Sequence, residues 1–290
     1  MGSLRGGRPA VWVGARDPSL TSVSGMAAVT ELVERLGVIS ALDAAVGPIK
    51  QRDRGFSGGE VLVGLAAAQM AGEDFLVGLD RHRGDVAGQV ITPVPGLSST
   101  TAAGLARRFT DPQWIAVENG VASVTERMLE RVPAVRRKRL CDAATIDLDA
   151  SDVETYGRKK RGVAYNHEGQ RVGRVHVASW AEVETVLAAE LLSGNDDPRT
   201  HAAQLFRRAL AALPEQARRG RVRLRADAGY FAGELARVAF FAEVEFAIGA
   251  KRIAPLWRLL SGITEQDWTE AIDMTGAQVA VADYRPVWWP

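Results

Sequence analysis

The stretch Thr145-Ile146-Asp147-Leu148-Asp149-Ala150-Ser151 decides how this chain is read. Apolar residues alternate with acids, the period-two pattern of a strand with one face in a core. Ile146 and Leu148 then point inward, and Asp147 and Asp149 share the opposite side. Two carboxylates side by side on a mostly buried strand repel each other and are costly to desolvate unless something neutralises them. A divalent cation does so, and hard oxygen ligands suit Mg2+. The plain alternative is a strand edge whose acids are solvated or cap the next turn.

Beyond this strand the pattern stays α/β. Residues 163–180 form a hairpin-like pair around the polar turn Asn166-His167-Glu168-Gly169-Gln170. Residues 183–192 are apolar and fit a strand or a helix. A helix is expected over 197–213, a strand over 222–227, a helix over 231–241 and a strand over 244–250. A short helical stretch at 254–260 and a β-like tail at 276–290 come after these. Three strands, then helix, strand, helix, strand describe a mixed sheet with helices packed on it.

The second informative segment is Val222-Arg223-Leu224-Arg225-Ala226-Asp227-Ala228-Gly229-Tyr230-Phe231. Val222 and Leu224 supply the buried alternation, and Asp227 falls where the strand stops. An acid at the carboxyl end of a strand, just before a helix, occupies the place where α/β folds bind ligands. The alternative is a turn or cap residue, a role aspartate also favours. If the two strands are neighbours, Asp149 and Asp227 converge on one site able to hold divalent ions against a phosphodiester.

On the N-terminal side, residues 1–25 read as irregular, and 26–135 as all-helical. Apolar residues recur at helical spacing over 26–46, interrupted by Gly37. A second helical region spans 56–79 with Ser57 as N-cap. Residues 91–100 are a Pro/Gly-rich connection. Helices are expected over 101–109 and 112–131, the latter capped by Asp111 with Pro112 in its first position. Arg136, Arg137, Lys138 and Arg139 read as a basic connector, and Arg158, Lys159, Lys160 and Arg161 as a second basic cluster after the first acidic strand. Both are candidate phosphate contacts, or simply solvated charge.

The chain has 290 residues, 47% of them hydrophobic and 24% charged, enough for one large domain or two ordinary ones. A formal net charge of +1 neither favours nor excludes a nucleic-acid partner. The single cysteine, Cys141, rules out an internal disulfide and a multi-cysteine zinc site, and fits a reducing cytoplasmic setting. The longest apolar run, 61–72, is too short to span a membrane and contains Gln69. Gly157-Arg158-Lys159-Lys160-Arg161-Gly162 is followed by Val163, so it is not a phosphate loop. Neither G-x-S-x-G nor H-E-x-x-H occurs. His176 and His167 could approach the acidic site, but lone histidines without paired spacing read as structural, and Trp257, Trp268, Trp288 and Trp289 read as core or insertion packing.

The run 145–174, with residues 191–202 and then 222–231, resembles the catalytic core of the DDE group 1 transposases of bacterial insertion sequences. The resemblance covers roughly 26–290. It rests on Asp149-Ala150-Ser151, an acid ahead of a small residue and a hydroxyl, and on Arg225-Ala226-Asp227-Ala228-Gly229-Tyr230.

The resemblance implies an RNase H-like mixed sheet with flanking helices over 136–262. A helical DNA-binding region (26–135) precedes it, and the start of a β-rich insertion (263–290) comes after it. It further implies Mg2+-dependent, or Mn2+-dependent, cleavage and strand transfer at terminal inverted repeats and target DNA. A homodimer or larger oligomer on DNA is expected. Asp149 and Asp227 would be metal ligands and catalytic acids, with Asp147 the competing candidate for the first acid. The family's third acid is a glutamate on a later helix beyond the insertion. The chain is therefore expected to be C-terminally truncated and inactive alone. A non-catalytic DNA-binding remnant and a metal-dependent nuclease of the same fold are the alternatives. Glu243 and Glu245 are read as surface charges.

Overall fold

A computed structural model describes residues 17–52, 54–157 and 160–285. The expectation for 1–16 therefore lies outside the described residues, whereas 17–25 form turns. The chain divides into two compact units, 1–127 and 128–290.

The first unit is helical. It comprises α1 (Met26–Leu36), α2 (Val38–Val46), α3 (Gly58–Met70), α4 (Gly78–Arg83), α5 (Val86–Ile91), α6 (Ser99–Ala106) and most of α7 (Asp111–Arg131). Gly37, at φ +59°, separates α1 from α2, a left-handed conformation that glycine adopts without strain. Ser57 caps α3 in a full capping box with Glu60. The expected single helix over 56–79 is instead α3 and α4. Gly72, at φ +88°, breaks the ladder between them. Helix α7 receives its first hydrogen bond at the Thr110 carbonyl, and Gln113 bonds back to the Thr110 amide. Its cap is therefore Thr110, one residue before the expected Asp111. Two apolar clusters, one around Leu42, Val63, Leu97 and Ala102 and the other around Val46, Val61 and Phe109, form the interior of this unit.

The second unit begins with a correction. Arg136–Arg139 are not in a connector but in helix α8 (Ala134–Asp142). Arginine, lysine and leucine are good helix formers, and Pro133 pre-sets the turn before it. Strand β1 (Ala143–Glu154) is next and runs on past the alternation expected over 143–150. Then come β2 (Ala164–Tyr165), β3 (Arg171–Trp180), β4 (Thr185–Ser193), α9 (Arg199–Ala212), α10 (Glu215–Arg218), β5 (Arg221–Ala226), α11 (Gly233–Phe241), β6 (Glu245–Ile248) and α12 (Ala254–Ser261). The ambiguous 183–192 segment is thus a strand. Of the β-like tail only Gln278–Val279 (β8) is extended among its described residues, paired with β7 (Thr269–Glu270).

The long strands lie in the order β4-β3-β1-β5-β6, with β2 pairing the end of β3. β3 is antiparallel to β1 and to β4, whereas β5 is parallel to β1 and β6 parallel to β5. A three-stranded meander extended on its first strand by two parallel strands, each reached through a helix, is the RNase H-like arrangement. Parallel neighbours need such crossovers. The core collects Ile146 and Leu148 of β1, Trp180 of β3, Leu224 of β5, Leu205 and Phe206 of α9 and Leu235 of α11. Cys141 is buried there as a free thiol. Trp257, expected to be packed, is half exposed, and Trp288 and Trp289 lie outside the described residues.

Candidate active site

Strand β1 changes character at Asp149. Its first half alternates half-buried and buried residues as far as Leu148, and from Asp149 onward it is mostly exposed. The parallel register with β5 stops at the same level, the last pair being Leu148 and Ala226. The next residue on each strand is an aspartate, Asp149 on β1 and Asp227 on β5. Neighbouring strands lie about 4.8 Å apart, so the two carboxylates emerge together at the carboxyl end of the sheet. Both line one cleft of about 510 Å³, with Asp152, Arg174 and Tyr230 among its other walls.

Each aspartate is held locally through one oxygen. Asp227 Oδ1 accepts from the Gly229 amide at 2.8 Å, capping the short turn Ala228–Tyr230. Asp149 Oδ1 accepts from the Ala150 amide at 2.8 Å, while its Oδ2 has only a long 3.5 Å contact from Ser151 Oγ. The capping role does not exclude ligand binding, because Oδ2 of Asp227 carries no hydrogen bond among the described residues.

Asp147 lies on the same face but is engaged elsewhere. Arg225, its register partner on β5, donates to Oδ1 at 2.8 Å and to Oδ2 at 2.5 Å. Asp152 is likewise taken. Arg174, directly opposite on β3, holds both its oxygens at 2.7 and 3.1 Å, and Asn166 adds a third bond at 3.0 Å. The Arg174 guanidinium holds the Asp152 carboxyl below the usual carboxylate range, against the opposing effect of burial.

Sequence reasoning quoted Tyr230 within a motif and let His176 approach the site, but gave neither a role and missed Glu190 and Arg208. Tyr230 is 2% exposed, and its hydroxyl has no hydrogen-bond partner among the described residues. Burial pushes its phenol up, and the charges of Asp149 and Asp227 push it further. Its ring stacks on His176, centroids 5.5 Å apart. His176, fully buried on β3, donates from Nδ1 to Glu190 Oε1 at 2.9 Å, and Arg208 of α9 holds the other oxygen of Glu190 at 2.9 Å. Burial raises the Glu190 carboxyl, but the hydrogen bonds from His176 and Arg208 outweigh it and leave the group below its ordinary value. His176 and Glu190 face each other in the β3–β4 register, a pairing invisible without that register.

The basic candidates separate. Arg136 and Arg139 are exposed on α8, Arg137 donates to the Glu130 carbonyl at 3.3 Å, and Lys138 pairs with Asp142 at 2.5 Å. Lys160 and Arg161 are exposed, and Arg158 and Lys159 lie outside the described residues. Among the described residues, neither basic cluster lines the acidic cleft. Glu245 pairs with Arg223 at 3.1 Å and Arg221 at 3.7 Å, in keeping with a surface charge. Among the described residues no group of three or more His, Cys, Asp or Glu side chains is arranged to hold a metal ion.

The transposase DDE domain group 1 family matches residues 6–290. The chain belongs to this family. Among solved structures it is similar to the catalytic domain of Mos1 mariner transposase (17% identity over 49% of this chain and 71% of that one, TM-score 0.29). The Mos1 strand transfer complex is also similar (13% identity, 73% of this chain and 67% of that one, TM-score 0.26). So is the Mos1 paired end complex with Mn (12% identity, 84% and 85%, TM-score 0.27). Superpositions this loose add nothing to the strand order. No curated protein matches the chain. Among the described residues no helix is long and apolar enough to cross a membrane.

Proposed function

We propose that this protein acts on the DNA ends of a mobile element through a divalent-cation site built on Asp149 and Asp227, with Mg2+ as the natural ion and Mn2+ as a substitute. The observation that carries this reading is the placement of the two aspartates one residue past the last paired position of β1 and β5. The donor set fits such an ion: each aspartate lines the same cleft and keeps one oxygen free of strong hydrogen bonds. Mg2+ is commonly held by one or two carboxylates, with waters and substrate phosphates completing its shell. Bound there, the ion would stabilise charge developing on the phosphodiester oxygens.

The remaining residues set the surroundings. Arg225 and Arg174 neutralise Asp147 and Asp152, so neither competes for the ion. The helical unit is assigned to DNA binding, and two or more copies would hold paired ends. Asp152 and Glu168 line the same cleft, but among the described residues no third acid joins the pair in a group that could hold a metal ion. On the family resemblance, the 290-residue chain is expected to bind Mn2+ and DNA without completing strand transfer alone, which is the non-catalytic DNA-binding reading.

The test is DNA carrying the flanks of the protein's own gene, incubated with the protein in Mn2+. Metal-strengthened binding that Asp149→Asn and Asp227→Asn each lose supports the site. Binding indifferent to Mn2+ in the parent contradicts it. Joined products from this chain alone would overturn the incomplete-site reading, and cleaved but never joined products would favour a nuclease.

A further inference from the structure

The acidic cleft explains chemistry but not how DNA is gripped, and the helical unit holds a second cavity of opposite charge. Its volume is about 770 Å³. One wall is made by residues 49–52 and 54–56, between α2 and α3, with Lys50, Arg52 and Arg54. The other is one face of α6 and the residues after it, with Thr100, Gly104 and Arg108. Thr100, Gly104 and Arg108 recur at intervals of four, so they stack on one side of the helical path. No acid lines the cavity among the described residues.

The loop wall is pre-formed. Lys50 Nζ donates to the carbonyls of Arg54, Gly55 and Phe56 at 2.5, 2.8 and 2.6 Å, folding the segment onto itself. Several arginines elsewhere are engaged, Arg174 with Asp152, Arg199 with Asp197, Arg219 with Glu215 and Arg225 with Asp147. Arg52, Arg54 and Arg108 are exposed and form no ion pair among the described residues. A second observation points the same way. Gly104 sits inside α6, where glycine weakens a helix relative to alanine. A Cβ there would meet nothing within 4 Å, so packing does not require glycine. Bare backbone on an open, basic face allows close approach of a ligand.

We infer that this cavity seats a phosphodiester stretch of DNA, with Arg52, Arg54 and Arg108 on its phosphates and the Gly104 face against its backbone. The inference rests on the reading that the chain binds DNA, and assigns the grip to residues outside both basic clusters of the second unit.

The experiment measures binding of the full chain to duplex DNA over a range of salt. Replacing Arg52, Arg54 and Arg108 by alanine is expected to weaken binding more than about tenfold and to flatten the log–log salt slope by about 0.9 per arginine. The charge-matched control replaces Arg35, Arg83 and Arg219, each paired with an acid, and is expected to lose much less. Gly104→Gln fills the open face without changing charge. It is expected to melt no lower than the parent and to bind DNA at least about fivefold more weakly. Parental affinity and slope in the triple variant, or equal losses in the control, overturn the inference. So does unchanged affinity in a folded Gly104→Gln variant. If the parent itself binds no DNA, it is the proposed function that fails.

Discussion

Arg225 reaches across the parallel pair β1–β5 and holds both carboxylate oxygens of Asp147, its register partner. The contact separates two acids that sequence alone leaves equivalent. Asp147 is neutralised by a neighbouring side chain, whereas Asp149, two residues on, faces the cleft without a basic partner. Asp147→Asn is therefore expected to change Mn2+ affinity by less than about threefold, and to cost about 0.5–1 kcal/mol of stability as a partly exposed pair. Calorimetric Mn2+ titration and urea unfolding check both; a large loss of Mn2+ binding would make Asp147 a ligand.

Gly249 supports the Asp227 turn from the next strand. A Cβ at this position would lie 2.6 Å from the Ala228 amide nitrogen and 2.9 Å from the Asp227 carbonyl carbon. Both are backbone atoms, which cannot swing aside. Gly249→Ala is expected to cost about 1–3 kcal/mol and, by shifting Asp227, to weaken Mn2+ binding. A variant with parental melting and Mn2+ affinity would show that the turn is not set by this contact.

Glu190 carries a pH signature. Its carboxyl lies below its ordinary value of 4.5 in the folded protein because His176 and Arg208 outweigh burial. A depressed carboxyl contributes stability that is complete above the unfolded pKa and is lost as pH falls through the lower folded value. Urea midpoints measured from about pH 7 down to about pH 3 should therefore fall less steeply at the acid end in Glu190→Gln than in the parent. Glu190→Gln should also be less stable at neutral pH, since it removes the charged partner of His176 and Arg208. Parallel acid limbs in the two proteins would remove Glu190 from the account.

Tyr230 buries a hydroxyl without a partner among the described residues. An unsatisfied buried hydroxyl costs roughly 1–3 kcal/mol. Tyr230→Phe is thus expected to be at least as stable as the parent in the absence of metal and DNA. A clear loss of stability by thermal melting would show that the hydroxyl is hydrogen-bonded in the folded protein.

Much of the second unit was legible because β1 and β5 write their burial into alternation: Ile146 and Leu148, then Val222 and Leu224. The acid pair was legible because each aspartate ends such a pattern. Segment 183–192 was ambiguous, since strand and helix both bury continuous apolar runs. Helix α8 was hidden because Arg136 to Arg139 stand out as charge before they stand out as helix formers. Helices α4 and α5 span six residues each, too few for a period to show. The His176–Glu190 contact depends on strand register, and the Arg52–Arg108 wall on helix packing. Neither is a local property of sequence.

The most direct test of the central claim is a Mn2+ titration, followed by calorimetry or electron paramagnetic resonance, of the parent chain and the Asp149→Asn/Asp227→Asn double variant. The account predicts a Mn2+ site in the parent whose affinity falls at least about tenfold, or about 1.4 kcal/mol, in a double variant that still folds. Identical titrations in the two proteins would contradict it.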